Sequence, residues 1–390
     1  MEKNSSKLSY ILVAVVSAVL AVVLVFSYLV AFAGGKDNLV RGAKLMQAMH
    51  VIQDEFVTEP DMDTATDYAV YGMVQSLGDK WSRYMPAKEY AEYSLRRENN
   101  RRSIGVSVSP CEEGFLLEDV SRDTPAYNAG LVPGEKLTHI DGESLAGWLT
   151  AQIQERIQSY GDDSFTLTVL SAEGEERTVT LSTQPVFVSP INFRMIGDVG
   201  YVQIKNFSAG CAENAIAAIK ELTEQGARAL VFDVRYNVGG YVDELTALLD
   251  YLLPEGEIFL SRNRAGKEDI VYSDANYIDL PMAVIMNSDS YSAAELFAAQ
   301  LSEYGAGVTV GEATTGKGRS QMSFRLFDGS AVHISQEAYL TSQGRDLAAE
   351  GGLAPDFPVE ITDEEKVKLY YSVLDPQEDK QLQEALKILN

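Results

Sequence analysis

The run LSYILVAVVSAVLAVVLVFSYLVAFA, residues 8–33, holds 26 residues and no charge. A helix of about 20 apolar residues crosses the hydrocarbon core of a bilayer, whereas the apolar part of a cleaved secretory signal is shorter, roughly 7–15 residues. The length predicts a retained single-pass anchor over 8–33 behind a short cytoplasmic tail, residues 1–7, although AFA before Gly34 is also a cleavage-like site. Lys3 and Lys7 precede the span and Lys36, Arg41 and Lys44 follow it, so basic residues do not decide its orientation. The acidic bulk beyond it does favour export. With 32 Lys and Arg against 57 Asp and Glu, the formal charge is -25. We therefore expect a cell-membrane protein with its body outside the cytoplasm. Such a charge repels polyanions and argues against a nucleic-acid partner.

The chain has two cysteines, Cys111 and Cys211, and neither CxxC nor HExxH. No metal or other cofactor is expected; a disulfide is left open.

Beyond the apolar run the pattern changes twice. Residues 38–100 read as a helical region: Leu39, Met46, Met49, Ile52 and Phe56 recur at threes and fours, a second helix spans about 64–78, and Pro86 opens a third. Residues 101–185 alternate in strand fashion around two helices, the first capped by Thr124 with Pro125 at its first position. Residues 186–362 alternate strands with helices, which predicts a parallel or mixed sheet covered by helices. Residues 363–390 read as an acidic helical tail. The fold class is thus multidomain, α/β and α+β.

In an α/β sheet, reactive groups sit beyond the carboxyl ends of the strands. Two loops there stand out, RYNVGG (235–240) and NSDSYS (287–292), the latter running into an Ala-rich helix. At a strand-to-helix junction the Ser292 hydroxyl would face N–H groups suited to an oxyanion, and the glycines of NVGG let a second backbone donor come close. Position alone fits a plain helix cap at Ser290 or Ser292 at least as well. A proton acceptor is harder to find. His50, His139 and His333 lie in helix or strand contexts and G-x-S-x-G is absent, so a Ser-His-Asp triad is poorly supported. A desolvated lysine can serve instead. Lys317, between glycines in TTGKGRSQ, fits that role, though a surface turn would read the same way.

SDSYSAAEL, followed 25 residues after Ser292 by the lysine of GKGRSQ, resembles the nucleophile and base segments of the carboxyl-terminal processing (tail-specific) serine proteases, PDZ-containing and of Ser/Lys type. AVYGMVQSLGDKWSRYMPAKEY resembles that family's N-terminal helical region, SIGVSVS and DTPAYNAGLVPGEKLTHIDGESLAGW its PDZ domain, and DVRYNVGG with DGSAVHISQEAYLTSQGRDLAAEGGLAPD the flanks of its active site. The resemblance covers nearly all of residues 45–390 in the family's order. It implies a PDZ domain at 101–185 and a ClpP/crotonase-like α/β core at 186–362. It further implies Ser292 as nucleophile, Lys317 as general base, Gln321 as a residue that orients the pair, and backbone N–H groups of Ala293 and Gly239 as the oxyanion hole. Glu303 would stand where relatives carry a supporting Asp, and Ser103, Ile104, Gly105 and Val106 where a substrate's terminal carboxylate docks. Val238 and Ala294 depart from the family's usual Pro and Ser without removing a catalytic group. The implied function is a membrane-anchored serine endopeptidase acting on protein or peptide substrates with free C-termini, with a homo-oligomer or a regulatory partner compatible with its terminal helices. The competing readings are a catalytically inactive PDZ scaffold at the membrane and a lyase on the related enoyl-CoA-hydratase-like fold.

Overall fold

A computed structural model describes residues 2–370 and 374–389, with side chains from residue 12 onward. The chain divides into two units, Met1–Gly78 and Asp79–Asn390.

The first unit is helical: Glu2–Phe32, Lys36–Glu55 and Met62–Gln75. Gly34 and Gly35, both at positive φ, separate the first two, and the Asp61 carboxylate caps the third by accepting from the N–H groups of Asp63 and Thr64. Within the first helix, Leu12–Phe32 is 21 residues long with a mean hydropathy of 2.8, long and apolar enough to cross a membrane. The second helix carries exposed Val40, Leu45, Met46, Met49 and Ile52.

Residues 79–100, expected to belong with the helical region, go with the second unit. Arg83–Met85 pairs with Ala331–Leu340 of the core, and the helix Ala87–Arg97 follows from Pro86. Next comes a five-stranded antiparallel sheet, Val106–Cys111, Gly114–Val120, Lys136–Ile140, Ser164–Leu170 and Glu176–Ser182 in that spatial order, with the short strand Glu143–Ser144 beside the third. Helices Pro125–Asn128 and Thr150–Ser159 complete a domain whose core holds Ile104, Phe115, Leu137, Ile153, Phe165 and Leu167. Thr124 caps the short helix, accepting from the Tyr127 N–H, as its sequence predicts. Asn100–Ser103 pairs with Gln184–Phe187, so chain enters and leaves this domain through one two-stranded ribbon.

The core is built on a six-stranded sheet in the order Ile191–Ile196, Val199–Ile204, Ala229–Asp233, Met282–Met286, Gly307–Gly311 and Phe357–Pro358, parallel except for its first pair. Alternate residues of each strand point to opposite faces. Leu230, Phe232, Val284 and Met286 pack with helices Cys211–Glu224, Val242–Leu252 and Ala293–Glu303. Ala229, Val231, Ala283 and Ile285 pack with Leu382 and Ala385 of the tail helix Lys380–Ile388. The acidic tail is therefore structural: it covers the sheet's second face. A second sheet is made of Arg83–Met85, Gly256–Asn263, Glu268–Ser273, Arg319–Arg325 and Ala331–Leu340. The two cysteines are not joined; Cys211 is buried in the core and burial pushes its thiol pKa up.

Candidate active site

Both loops singled out in the sequence leave the carboxyl ends of adjacent parallel strands, Ala229–Asp233 and Met282–Met286. Asn287 ties them together: its side-chain oxygen accepts from the Tyr236 N–H, and the Ser290 hydroxyl, fully buried, donates to the Val234 carbonyl. Ser290 is thus consumed by turn construction. Ser292 is placed differently. It precedes the helix Ala293–Glu303 with φ 63 and ψ -123, a conformation that costs a non-glycine residue on the order of 1–3 kcal/mol. Its side chain makes no capping bond to the helix. Among the described residues the N–H of Ala293 has no acceptor, so it stays available to an oxygen at the helix mouth.

Glu295 holds this corner, and the sequence reading passed over it. Fully buried in the first turn, its carboxylate accepts from the N–H of Ser292 at 2.8 Å and of Lys317 at 2.9 Å with one oxygen. The other accepts from the N–H of Gly316 at 2.6 Å and the Thr314 hydroxyl at 2.5 Å. One carboxylate thereby locks together the backbone of the candidate nucleophile and that of the candidate base. The GKG turn is shaped to match. Gly316, at φ 80, lies so close to Gly351 and Gly352 that a Cβ would come within 2.8 Å of the Gly352 nitrogen.

Lys317 turns inward. Its ammonium lies 4.8 Å from the Trp81 ring and 5.5 Å from that of Tyr291. Burial, with the nearby charges of Arg97 and Arg83, lowers its pKa to about 8, partly opposed by Glu295. Ser292 and Lys317 line one cavity of about 1090 Å³, together with Ala293, Gly239 and Gln321. No direct hydrogen bond joins Lys317 to Ser292. The Tyr339 hydroxyl bridges the two segments, donating to the Lys317 carbonyl and lying within hydrogen-bond reach of the Ser292 side chain. Burial raises its pKa, which keeps it protonated.

Three expected details come out otherwise. The Gln321 amide donates to the Arg319 carbonyl and the Ser335 hydroxyl, at 2.8 and 3.0 Å, rather than to Lys317, because a register shift between Ser320 and Gln321 directs it along the strand. The Gly239 N–H is taken by the Asn237 side chain at 2.8 Å, whereas that of Gly240 has no acceptor among the described residues. The close approach at Gly239 is nonetheless real: a Cβ there would fall 2.7 Å from that of Ser292. Glu303 lies away from the site, binding the Ser342 hydroxyl, the Gln343 N–H and Arg345. His333 reaches the cavity wall from its strand, where burial lowers its pKa to about 4 and its Nδ1 meets the Ser323 hydroxyl.

In the antiparallel domain, Ile104 is fully buried and its carbonyl accepts from the Ala126 N–H. The Gly105 N–H is held by the Ser103 hydroxyl at 3.0 Å. Val106–Cys111 is an edge strand, paired only with Gly114–Val120, and so keeps a free side for an extended chain.

Comparison with known proteins resolves the class. Residues 198–359 match peptidase family S41, residues 117–171 a PDZ domain, and residues 32–89 the activating protease CtpB N-terminal domain. The chain thus carries an S41 peptidase domain preceded by a PDZ domain. It is 27% identical over 377 residues to a carboxy-terminal-processing protease of Bartonella bacilliformis, covering 87% of this chain and 86% of that protein. It is 23% identical over 329 residues to a protein of Staphylococcus epidermidis described as a CtpA-like serine protease, covering 83% and 66% respectively. A Bacteroides fragilis structure ascribed to the S41 proteases shares the fold, with TM-score 0.54, 18% identity, and coverage of 87% of this chain and 96% of that one. The segment matched to S41 contains both loops, Ser292 and Lys317. The strained serine, the partly neutralised lysine and the free Ala293 N–H are therefore features of a peptidase domain.

Proposed function

We propose that this protein is a membrane-anchored endopeptidase that cleaves protein substrates near their C-termini, with Ser292 as nucleophile and Lys317 as general base. The observation that carries the reading is the meeting, in one cavity, of a conformationally strained serine at a helix start and a lysine with a pKa of about 8. In the cycle, neutral Lys317 Nζ accepts the Ser292 proton and the alkoxide attacks the peptide carbonyl. The Ala293 N–H supports the oxyanion, with a second donor from Val238–Gly240; Gly240 is free to serve, and Gly239 would first release Asn237. Lys317 then passes its proton to the leaving amine, and water hydrolyses the acyl-enzyme. Because Lys317 Nζ rests over Trp81 and Tyr291, this first transfer requires the deprotonated amine to leave the two rings for the serine.

A substrate tail would add a strand at the free edge of Val106–Cys111, with its terminal carboxylate near Ser103–Val106. Leu12–Phe32 would anchor the enzyme, with the body outside the cytoplasm. The test incubates the full chain in detergent with an unfolded protein bearing an apolar tail, alongside Ser292→Ala, with masses read by mass spectrometry. New C-terminal fragments from the wild type alone support the proposal; the same fragments from Ser292→Ala overturn it.

A further inference from the structure

The active-site cavity reverses the charge of the chain that surrounds it. The protein carries 57 acidic against 32 basic residues, yet eight lysine and arginine side chains line this cavity against three carboxylates, Glu92, Asp243 and Glu337. Most of the cations have no ionic partner. Arg102 is paired, with Glu92 and Asp162. Among the described residues, no carboxylate lies within 4.0 Å of the charged groups of Arg83, Arg96, Arg97, Arg101 or Lys205. Arg97 stacks 3.6 Å from the centre of the Tyr241 ring, and Lys205 meets only the neutral Asn192 side chain. Arg96, Arg101 and Arg83 are exposed, so their charges are not needed to neutralise anything inside the fold.

Their placement follows a line. Arg83 lies on the strand beside the core, Arg96 and Arg97 end the helix Ala87–Arg97, and Arg101 sits in the ribbon that leads directly into Ser103–Val106. Gln158 of the PDZ helix lines the same cavity. A polypeptide docked by its tail on the PDZ domain and cut at Ser292 would cross this wall. Unpaired guanidinium groups in a walled cleft focus positive potential, and their planar forks donate two parallel N–H bonds to a carboxylate. We infer that the cleft selects substrates carrying aspartate and glutamate in the segment between the cleaved bond and the C-terminal tail. The inference rests on the peptidase reading above and adds a substrate class to it.

The test uses two fluorescent peptides with one apolar tail, differing only in that the upstream segment carries Asp and Glu or the matching Asn and Gln. A third, acidic but with an amidated C-terminus, separates side-chain carboxylates from the terminal one. The full-length enzyme should cleave the acidic peptide with about tenfold higher kcat/KM in dilute buffer, the margin shrinking in 0.5 M salt as charges are screened. Arg96→Gln/Arg101→Gln should collapse most of that margin, and the amidated peptide should retain its share of it. Equal kcat/KM for acidic and neutral peptides, or a preference indifferent to salt and to the double substitution, overturns the inference. Binding of the same peptides to full-length Ser292→Ala keeps the two claims apart. Absence of cleavage in every arm would count against the catalytic reading, whereas tighter binding of the acidic peptide would still support the charge selection, and equal binding would refute it.

Discussion

Lys317 can act as a base only when neutral, and its surroundings make it so at moderate pH. Burial and the charges of Arg97 and Arg83 lower its pKa to about 8. If Lys317 is the base, the neutral form is the active one, so kcat/KM should rise with pH through about 8, level off above, and fall about tenfold per pH unit well below. A pH–rate profile on a neutral peptide checks this. Arg97→Gln removes a charge that disfavours the ammonium, so it should move that limb to higher pH; a limb that stays or moves down contradicts the assignment of cause. Glu295 is the second residue of consequence. Glu295→Ala would strand the buried donors of Ser292, Gly316, Lys317 and Thr314, at a cost of about 1–3 kcal/mol for each unsatisfied group. We expect a lower denaturation midpoint together with lost activity. Glu295 escaped the sequence reading because an acidic residue in a helix's first turn is ordinary, favoured by the helix dipole alone. Ser292 and Lys317 could be named because their flanking motifs resemble those of the processing proteases, residue type and the glycine setting alone leaving a helix cap and a surface turn open; the direction of the Gln321 amide could not, since it depends on a local register shift.

At the scale of elements, alternation and helical spacing placed the parallel strands, the helices and both candidate loops, because each strand of a buried sheet must be apolar to pack. The hairpin Gly256–Asn263 with Glu268–Ser273 was not anticipated: its strands mix Glu, Arg, Asn and Asp with Ile, Phe and Val, and so lack a continuous apolar signal. The role of the tail was also hidden, since amphipathic spacing tells that a helix covers something without telling what. Arg235 supplies the answer. Buried at the end of a core strand, it bonds Asp233, Asp379 and the Gln381 side chain, and Asp233 also accepts from the Tyr201 hydroxyl. Arg235→Met would leave two buried carboxylates unpaired, and we expect a loss of about 3–5 kcal/mol by denaturant unfolding. Gln300 makes the opposite case. Both polar atoms of its side chain are buried without a hydrogen-bond partner. Gln300→Leu should therefore raise stability, by about 1–3 kcal/mol, with the catalytic corner unchanged.

For the molecule as a whole, the order of parts gives a path: an apolar helix fit to span a bilayer, a helical segment, a PDZ domain, and an S41 core whose cavity opens beside the ribbon joining the two. On the proposed reading, tail docking and cleavage would occur on one substrate chain, and the basic wall between them would be the surface that chain crosses. All of this depends on Ser292 and Lys317 acting as a pair. The most direct measurement labels the full-length wild type and Lys317→Ala with a serine-reactive fluorophosphonate across pH 6 to 10, locating the adduct by mass spectrometry. The account predicts a single adduct on Ser292 whose rate climbs through about pH 8 in the wild type and becomes slow and lacks that inflection in Lys317→Ala. Labelling at another serine, or an identical rate profile in both proteins, would contradict it.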